Sequence, residues 1–393
     1  MPASRECVRL ERHARIARKR HDFIAHRVPR YSGAVSLRSR LILLGLAALF
    51  AGVILLVWTH SPHSSGEAGA LGMRSKPLAA LADASGWLNH APLTADSLRG
   101  HTVVIVAWSD TDPLSLRLLR EADEWLKAYG RFGLRVVGVH VPEFAFSADS
   151  AAPARTLRRL DAHLPVALDA GSRVGSQLGV GEVLPLWVVV GPEGRRDLVA
   201  EGDRADAVLK AAIEALRRSP GPSSAELPLP VAPVERTPRA TRRIYCGTSR
   251  VSGGPLATAL PGEARMFTAQ FRYQEQGLTY TPYPVGRWKP SADGVTSARG
   301  GAADYVAIRY DVGSVDAVLG SPVPSRVWVM CDDGWVPPTE RGEDVRTDAR
   351  GATFVEVSEP RAYALLKGGG AHVLRLTPEA PGVSYYAFLF GAE

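Results

Sequence analysis

Sulfur is scarce in this chain: 393 residues hold three cysteines, Cys7, Cys246 and Cys331. The nearest two stand 85 positions apart (331 − 246), which excludes a C-x-x-C redox motif, a zinc knuckle and a haem-attachment site. Also missing are G-x-S-x-G, the nucleophile elbow of serine hydrolases, and the Lys-Ser/Thr that a phosphate-binding glycine loop requires. His101, His140, His163 and His372 are scattered, with no helical i, i+4 pair, so they read as ordinary polar residues and no metal site is expected. No cofactor is implied. Gly368-Gly369-Gly370 reads as a strand connection, and Asp332-Asp333-Gly334 as a turn. Two adjacent carboxylates are weak grounds for a Ca²⁺ site there.

A general excess of positive charge is absent too, once the formal +7 is located. Residues 1–40 carry 11 Lys/Arg against Glu6, Glu11 and Asp22, a local +8, which leaves −1 for everything after them. The folded part thus has no charge argument for binding nucleic acid. Long apolar runs are limited to one, Leu41–Trp58, 18 residues without a charge. As a helix it spans roughly 27 Å at 1.5 Å per residue, close to a hydrocarbon core. Arg38 and Arg40 flank its start and Trp58 closes it, which predicts a single-pass anchor with residues 1–40 in the cytoplasm and the rest outside a bacterial-type cell membrane. The basic tail would lie on anionic lipid, each cation near the surface contributing about 1 kcal/mol. A cleaved signal peptide is the competing reading. The long basic stretch ahead of the run and the length of the run itself argue against it.

Residues 59–82 are rich in Ser, Gly, Ala and Pro and read as a spacer. Residues 219–240 contain six prolines, whose fixed φ and missing donors predict an extended linker. Between them, 83–218 alternates strand and helix signals. Val103–Trp108, Leu134–His140 and Leu186–Val190 are buried-strand runs, and Leu116, Leu119, Ala122 and Leu126 mark a helix from Pro113 to Tyr129. That alternation predicts an α/β domain. Residues 241–393 change period: Val306, Ile308, Tyr310 and Val312 alternate, and Val327–Cys331, Thr353–Val357, His372–Leu376 and Tyr385–Phe390 follow between turn residues. Many short strands with no long amphipathic helix predict an all-β jelly roll or sandwich.

Particular residues then become recognisable. Trp87-Leu88-Asn89, Pro92-Leu93-Thr94, Leu98-Arg99-Gly100 and above all Gly138-Val139-His140-Val141-Pro142-Glu143-Phe144-Ala145-Phe146 resemble the thioredoxin-like domain of DipZ-type cytochrome c biogenesis proteins. Val166-Ala167-Leu168-Asp169 and Glu201-Gly202-Asp203 fit as well. Past the linker, Gly286-Arg287-Trp288, Glu359-Pro360-Arg361-Ala362-Tyr363 and Pro381-Gly382-Val383 are similar to that family's C-terminal domain, which is like a carbohydrate-binding module. The resemblance covers about 85–391. The family's multi-helix, electron-delivering membrane domain has no counterpart, and one anchor helix stands in its place.

The departure from the family pattern is local. Trp108, Ser109 and Leu116-Arg117 keep the frame around the family's Cys-x-x-Cys, but the two cysteine positions hold Asp112 and Ser115. A carboxylate and a hydroxyl form no disulfide, so dithiol exchange at this pair is excluded. Asp112 is expected to cap the helix from Pro113 instead. Leu184-Pro185 matches the family's cis-proline, and Glu143 matches an acid that moves protons in related redoxins. An ordinary trans proline and a solvated carboxylate are the plain readings of the two. With Trp108, these residues outline a retained groove. Cys246 and Cys331 read either as a disulfide across the β domain or as two buried thiols. Trp288 and Trp335, with Trp328, Tyr283, Tyr385 and Tyr386, are candidates for stacking on sugar, against the more usual role of aromatics as core. No catalytic constellation emerges. The expected function is non-redox binding or scaffolding of an envelope protein or glycan. A thiol:disulfide oxidoreductase acting through other thiols, or glycan binding by the β domain, stands as the alternative.

Overall fold

A computed structural model describes residues 76–218, 227, 242–251, 253–268, 278–311 and 313–391. The apolar run 41–58, Cys7, the basic tail, nearly all of the proline-rich linker and Val312 lie outside the described residues. Among the described residues, no helix is long and apolar enough to cross a membrane.

The first half is a six-stranded mixed sheet of β1 (Gly86–Leu88), β2 (Thr102–Trp108), β3 (Leu134–His140), β4 (Val166–Leu168), β5 (Leu186–Val190) and β6 (Arg196–Glu201), in the order β1-β4-β3-β2-β5-β6. β2, β3 and β4 run parallel, while β1, β5 and β6 join antiparallel. All seven residues of β2 are buried, because helices cover both faces of the sheet and no position of a central strand meets water. Val104, Val106 and Trp108 pack against α1 (Pro113–Tyr129) and α4 (Ala205–Leu216). Val103, Ile105 and Ala107 pack on the opposite face with α3 (Arg173–Leu178). A further helix, α2, spans Ala151–Leu160. This is a thioredoxin-like domain. It starts earlier than the spacer boundary at residue 82 implies. Leu78, Ala80 and Leu81, on a helical turn and the 3₁₀ turn after it, are buried against the sheet, since apolar side chains outweigh the loop-like composition around them.

The second half is a large antiparallel β domain of thirteen strands among the described residues. Five carry the argument: β7 (Arg242–Tyr245), β12 (Ser314–Gly320), β13 (Ser325–Cys331), β18 (His372–Pro378) and β19 (Ser384–Gly391). Its core draws Val315, Ala317 and Leu319 from β12, Val327 and Val329 from β13, and Leu374 and Leu376 from β18. These alternate residues point inward, as a period of two requires. The described parts of both domains fall in one compact unit.

Candidate functional site

β2 ends at Trp108 and α1 begins at Pro113, so residues 109–112 form the turn where the resembled family carries its first cysteine. Asp112 is the N-cap: its extended backbone (φ −105°, ψ 108°) lets Oδ2 accept the Ser115 amide at 3.0 Å. Ser115 Oγ donates to the same oxygen at 2.6 Å. Asp112 and Ser115 are thus bonded to each other, and both are fully buried. Arg243, on β7, brings Nη2 to 3.0 Å from Asp112 Oδ1. The approach lies off the N–H direction, so it is an ion contact rather than an aligned hydrogen bond.

Glu143 is the second anchor. Its Oε2 accepts Thr111 Oγ1 at 2.9 Å, and its Oε1 accepts the Tyr245 hydroxyl at 2.7 Å, with Arg243 Nη1 3.7 Å away. Arg250 donates to the Glu143 carbonyl at 2.9 Å and lies over the rings of Tyr245 and Phe144. Burial alone would lower Arg243, but the carboxylates of Asp112 and Glu143 overcome it and hold the guanidinium well above its usual range. Burial, then the Glu143 charge, pushes the Tyr245 phenol up to about 12. Behind this layer Asp110 accepts from His140 and Ser147, each at 3.0 Å and all buried.

Strand pairing explains why a second domain reaches this spot. β19 lies between β7 and β12, so Arg243, Leu389 and Asp316 form one cross-strand row, and Tyr245, Ala387 and Val318 the next. Facing partners share one side of a sheet, so both rows look outward from the β-domain core. Small side chains there let Phe144 and Phe146 pack in, and Val318, Ala387 and Leu389 become buried against Phe144. Arg155 and Arg159 on α2 both pair with Glu359, at 3.0 and 3.1 Å. Among the described residues, Asp316 makes no ion pair. Burial first, then the charges of Asp344, Asp112 and Glu343, push its carboxyl up to about 7.

Beside this joint a cavity of about 660 Å³ remains, lined by Val180, Val183 and Leu184 from one domain and Ile244, Tyr245 and Tyr280 from the other. Glu143, Glu182, Arg243 and Arg250 place charges of both signs on its wall. Leu184–Pro185 is cis. The groove outlined by the sequence therefore needs correction. Glu143 and Leu184 line it, but Pro185 is buried, Trp108 is a core residue with no exposure, and Asp112 and Ser115 are sealed beneath Arg243. A central strand covered on both faces leaves Trp108 no way out.

The other singled-out residues are dispersed. Cys246 and Cys331 are free thiols, not a disulfide. They belong to opposite halves of the β domain: Cys246 follows β7 and its amide bonds to Tyr386, while Cys331 ends β13 opposite Leu374. Burial pushes the Cys246 thiol far up and, with the Asp332 charge, the Cys331 thiol up to about 11, so neither is a ready thiolate near neutral pH. Trp288 is fully buried, its Nε1 donating to the Val285 carbonyl and its ring edge-on to Tyr385, and so presents no face to a sugar. Trp335 is 45% exposed and lies near Trp328. His372, read as an isolated polar residue, is brought across strands to Asp332 and Cys331. The residues missed were Thr111, Arg243, Tyr245 and Arg250. The one available signal was the alternation of Arg243 and Tyr245 on a short strand, which does not reveal what that strand faces.

Residues 241–391 match the model of the family described as "Thioredoxin like C-terminal domain". Protein DipZ of Mycobacterium bovis is 27% identical over 246 residues, covering 60% of this chain and 34% of its own length. The chain thus spans about a third of the length of the curated DipZ relatives it matches. Among solved structures, a thiol-disulfide isomerase from Corynebacterium glutamicum is 23% identical (TM-score 0.32, 34% of this chain, 92% of that one). A secreted Mycobacterium tuberculosis disulfide oxidoreductase is 16% identical (TM-score 0.27, 32% and 89%). With residues 241–391 matched by a family model and a DipZ relative aligned over 60% of the chain, the chain is a thioredoxin-like protein related to DipZ.

Proposed function

We propose that this chain is a redox-inert binding protein of the cell envelope, anchored by Leu41–Trp58, that holds an extended segment of a protein partner in the groove between its two domains. The observation that carries the reading is the Asp112–Ser115 pair, buried, mutually bonded and closed over by Arg243. A site that has exchanged its sulfurs for a capped helix and an ion contact is a joint between domains, not a reaction centre. What remains accessible is the groove at Val183, whose apolar walls and opposed charges suit a short amphipathic peptide. Exchange through the other thiols is opposed by the raised Cys331 and Cys246. Glycan binding is the second reading, favoured by one observation, the exposed ring of Trp335. The test uses the full chain in two assays. Insulin disulfide reduction should run at the uncatalysed rate, and a photo-crosslinker at Val183 should capture an envelope protein in intact membranes. Catalysed insulin reduction overturns the redox-inert reading, and a Val183 probe that captures nothing overturns the groove.

A further inference from the structure

The β domain carries a cluster that the interdomain site does not use. β13 ends at Cys331, and residues Asp332 and Asp333 turn the chain with φ of +48° and +62°. β18 starts beside them at His372, and β13 pairs with β18 through Cys331 and Leu374. Along β13, Val327 and Val329 face the core, and along β18, Leu374 and Leu376 do the same. By the period of two, Cys331 and His372 point to that same side, at its rim, where each is only half-buried. One donor atom each from Cys331, Asp332 and His372 lies within 4.8 Å of the others.

The surroundings orient these donors as a ligand set. Asp332 is pinned by its Oδ1, which accepts the Val373 amide at 2.8 Å, leaving Oδ2 toward His372 Nδ1 at 2.7 Å. The Nε2 edge of His372 faces the glycine loop. That leaves Nδ1 as the nitrogen aimed at Asp332, and metal-binding histidines are commonly oriented by what holds their other edge. The loop is built for this closeness: a Cβ on Gly370 would lie 2.7 Å from Nε2, and Gly370 takes φ +133°. Tyr310 sets its hydroxyl 3.9 Å from Cys331 Sγ, and the Glu340 carboxylate adds negative charge to the same corner. Soft sulfur, imidazole nitrogen and carboxylate oxygen together are a zinc-type donor set.

We propose that Cys331, Asp332 and His372 form a site for one divalent transition-metal ion of the zinc class, with its fourth position open to water. The ion takes the place of the proton shared by His372 Nδ1 and Asp332 Oδ2, and the Cys331 thiol proton leaves to solvent as the metal–sulfur bond forms. Tetrahedral coordination at about 2.0–2.3 Å per ligand sets ligand atoms roughly 3.3–3.6 Å apart. Nδ1 and Oδ2, now 2.7 Å apart, therefore open by roughly half an ångström while Cys331 Sγ closes by up to roughly an ångström.

The test is a Co²⁺ titration of the chelator-stripped full chain, followed by absorbance. One equivalent should produce a thiolate-to-cobalt charge-transfer band that Zn²⁺ then abolishes. Cys331→Ser should remove the band, His372→Gln should weaken Zn²⁺ binding at least tenfold, and Cys7→Ser should change neither. In the unmutated chain, Zn²⁺ should slow alkylation of Cys331, read by mass spectrometry, at least tenfold, which keeps the test decisive if a variant fails to fold. A band that survives in Cys331→Ser, or no band together with unprotected Cys331, overturns the site.

Discussion

Arg243 is the residue on which the joint between the two domains depends, and Arg243→Met tests it. Its side chain is 11% exposed and stands against Asp112, which has no exposure, and Glu143, at 8%. Methionine fills most of the volume but leaves two buried carboxylates without a cation. Breaking a buried pair by removing one partner costs about 3–5 kcal/mol, because the remaining charge keeps its desolvation penalty and loses its compensation. Here the loss falls near 3 kcal/mol. Asp112 Oδ2 keeps both Ser115 bonds, and Glu143 keeps Thr111 and Tyr245, so each orphaned carboxylate retains donors. Equilibrium urea unfolding of the full chain, followed by tryptophan fluorescence, reads the change. The companion Asp112→Asn in the Arg243→Met background removes one uncompensated charge and should recover about half of the loss, whereas Asp112→Asn alone should destabilise. That change of sign distinguishes an electrostatic joint from lost packing. Arg243→Met within about 1 kcal/mol of the parent, or no recovery in the double variant, refutes the reasoning.

Two further outcomes follow from the same geometry. Asp316 has a folded pKa of about 7, raised by burial and neighbouring carboxylates, so its stabilising protonated form is fully present below about pH 4 and is lost as the pH rises through 7. Asp316→Asn should therefore leave stability unchanged at pH 4 and, with an allowance for the partial exposure of the residue, raise it by about 2 kcal/mol at pH 8. Thermal melts across that window check it, and a gain independent of pH counts against the assignment. The two tryptophans named for sugar stacking should separate cleanly. Trp288→Ala should cost about 3–5 kcal/mol as a core deletion, and Trp335→Ala less than about 1 kcal/mol, both by urea unfolding.

Much of this protein is legible in one dimension, and what is legible depends on neighbours along the chain. The buried run Val103–Trp108, the helix from Pro113 to Tyr129 and the alternation from Val306 to Tyr310 each express a local period, and a local period fixes strand or helix whatever packs against it. That Asp112 and Ser115 carry no sulfur is equally plain, since chemistry that needs a thiol fails wherever the fold puts those residues. Asp112 as a helix cap is local too, reaching only three residues ahead. The tertiary structure decided everything that depends on distant partners. Arg243 meets Asp112 across 131 positions (243 − 112) because β19 sets β7 beside β12 and turns that face toward α1. Strand register brought His372 to Asp332, and burial separated Trp288 from Trp335 though the sequence treats them alike. Electrostatics and solvent exposure are properties of three-dimensional neighbourhoods, so a site made of groups from two domains has no period to betray it.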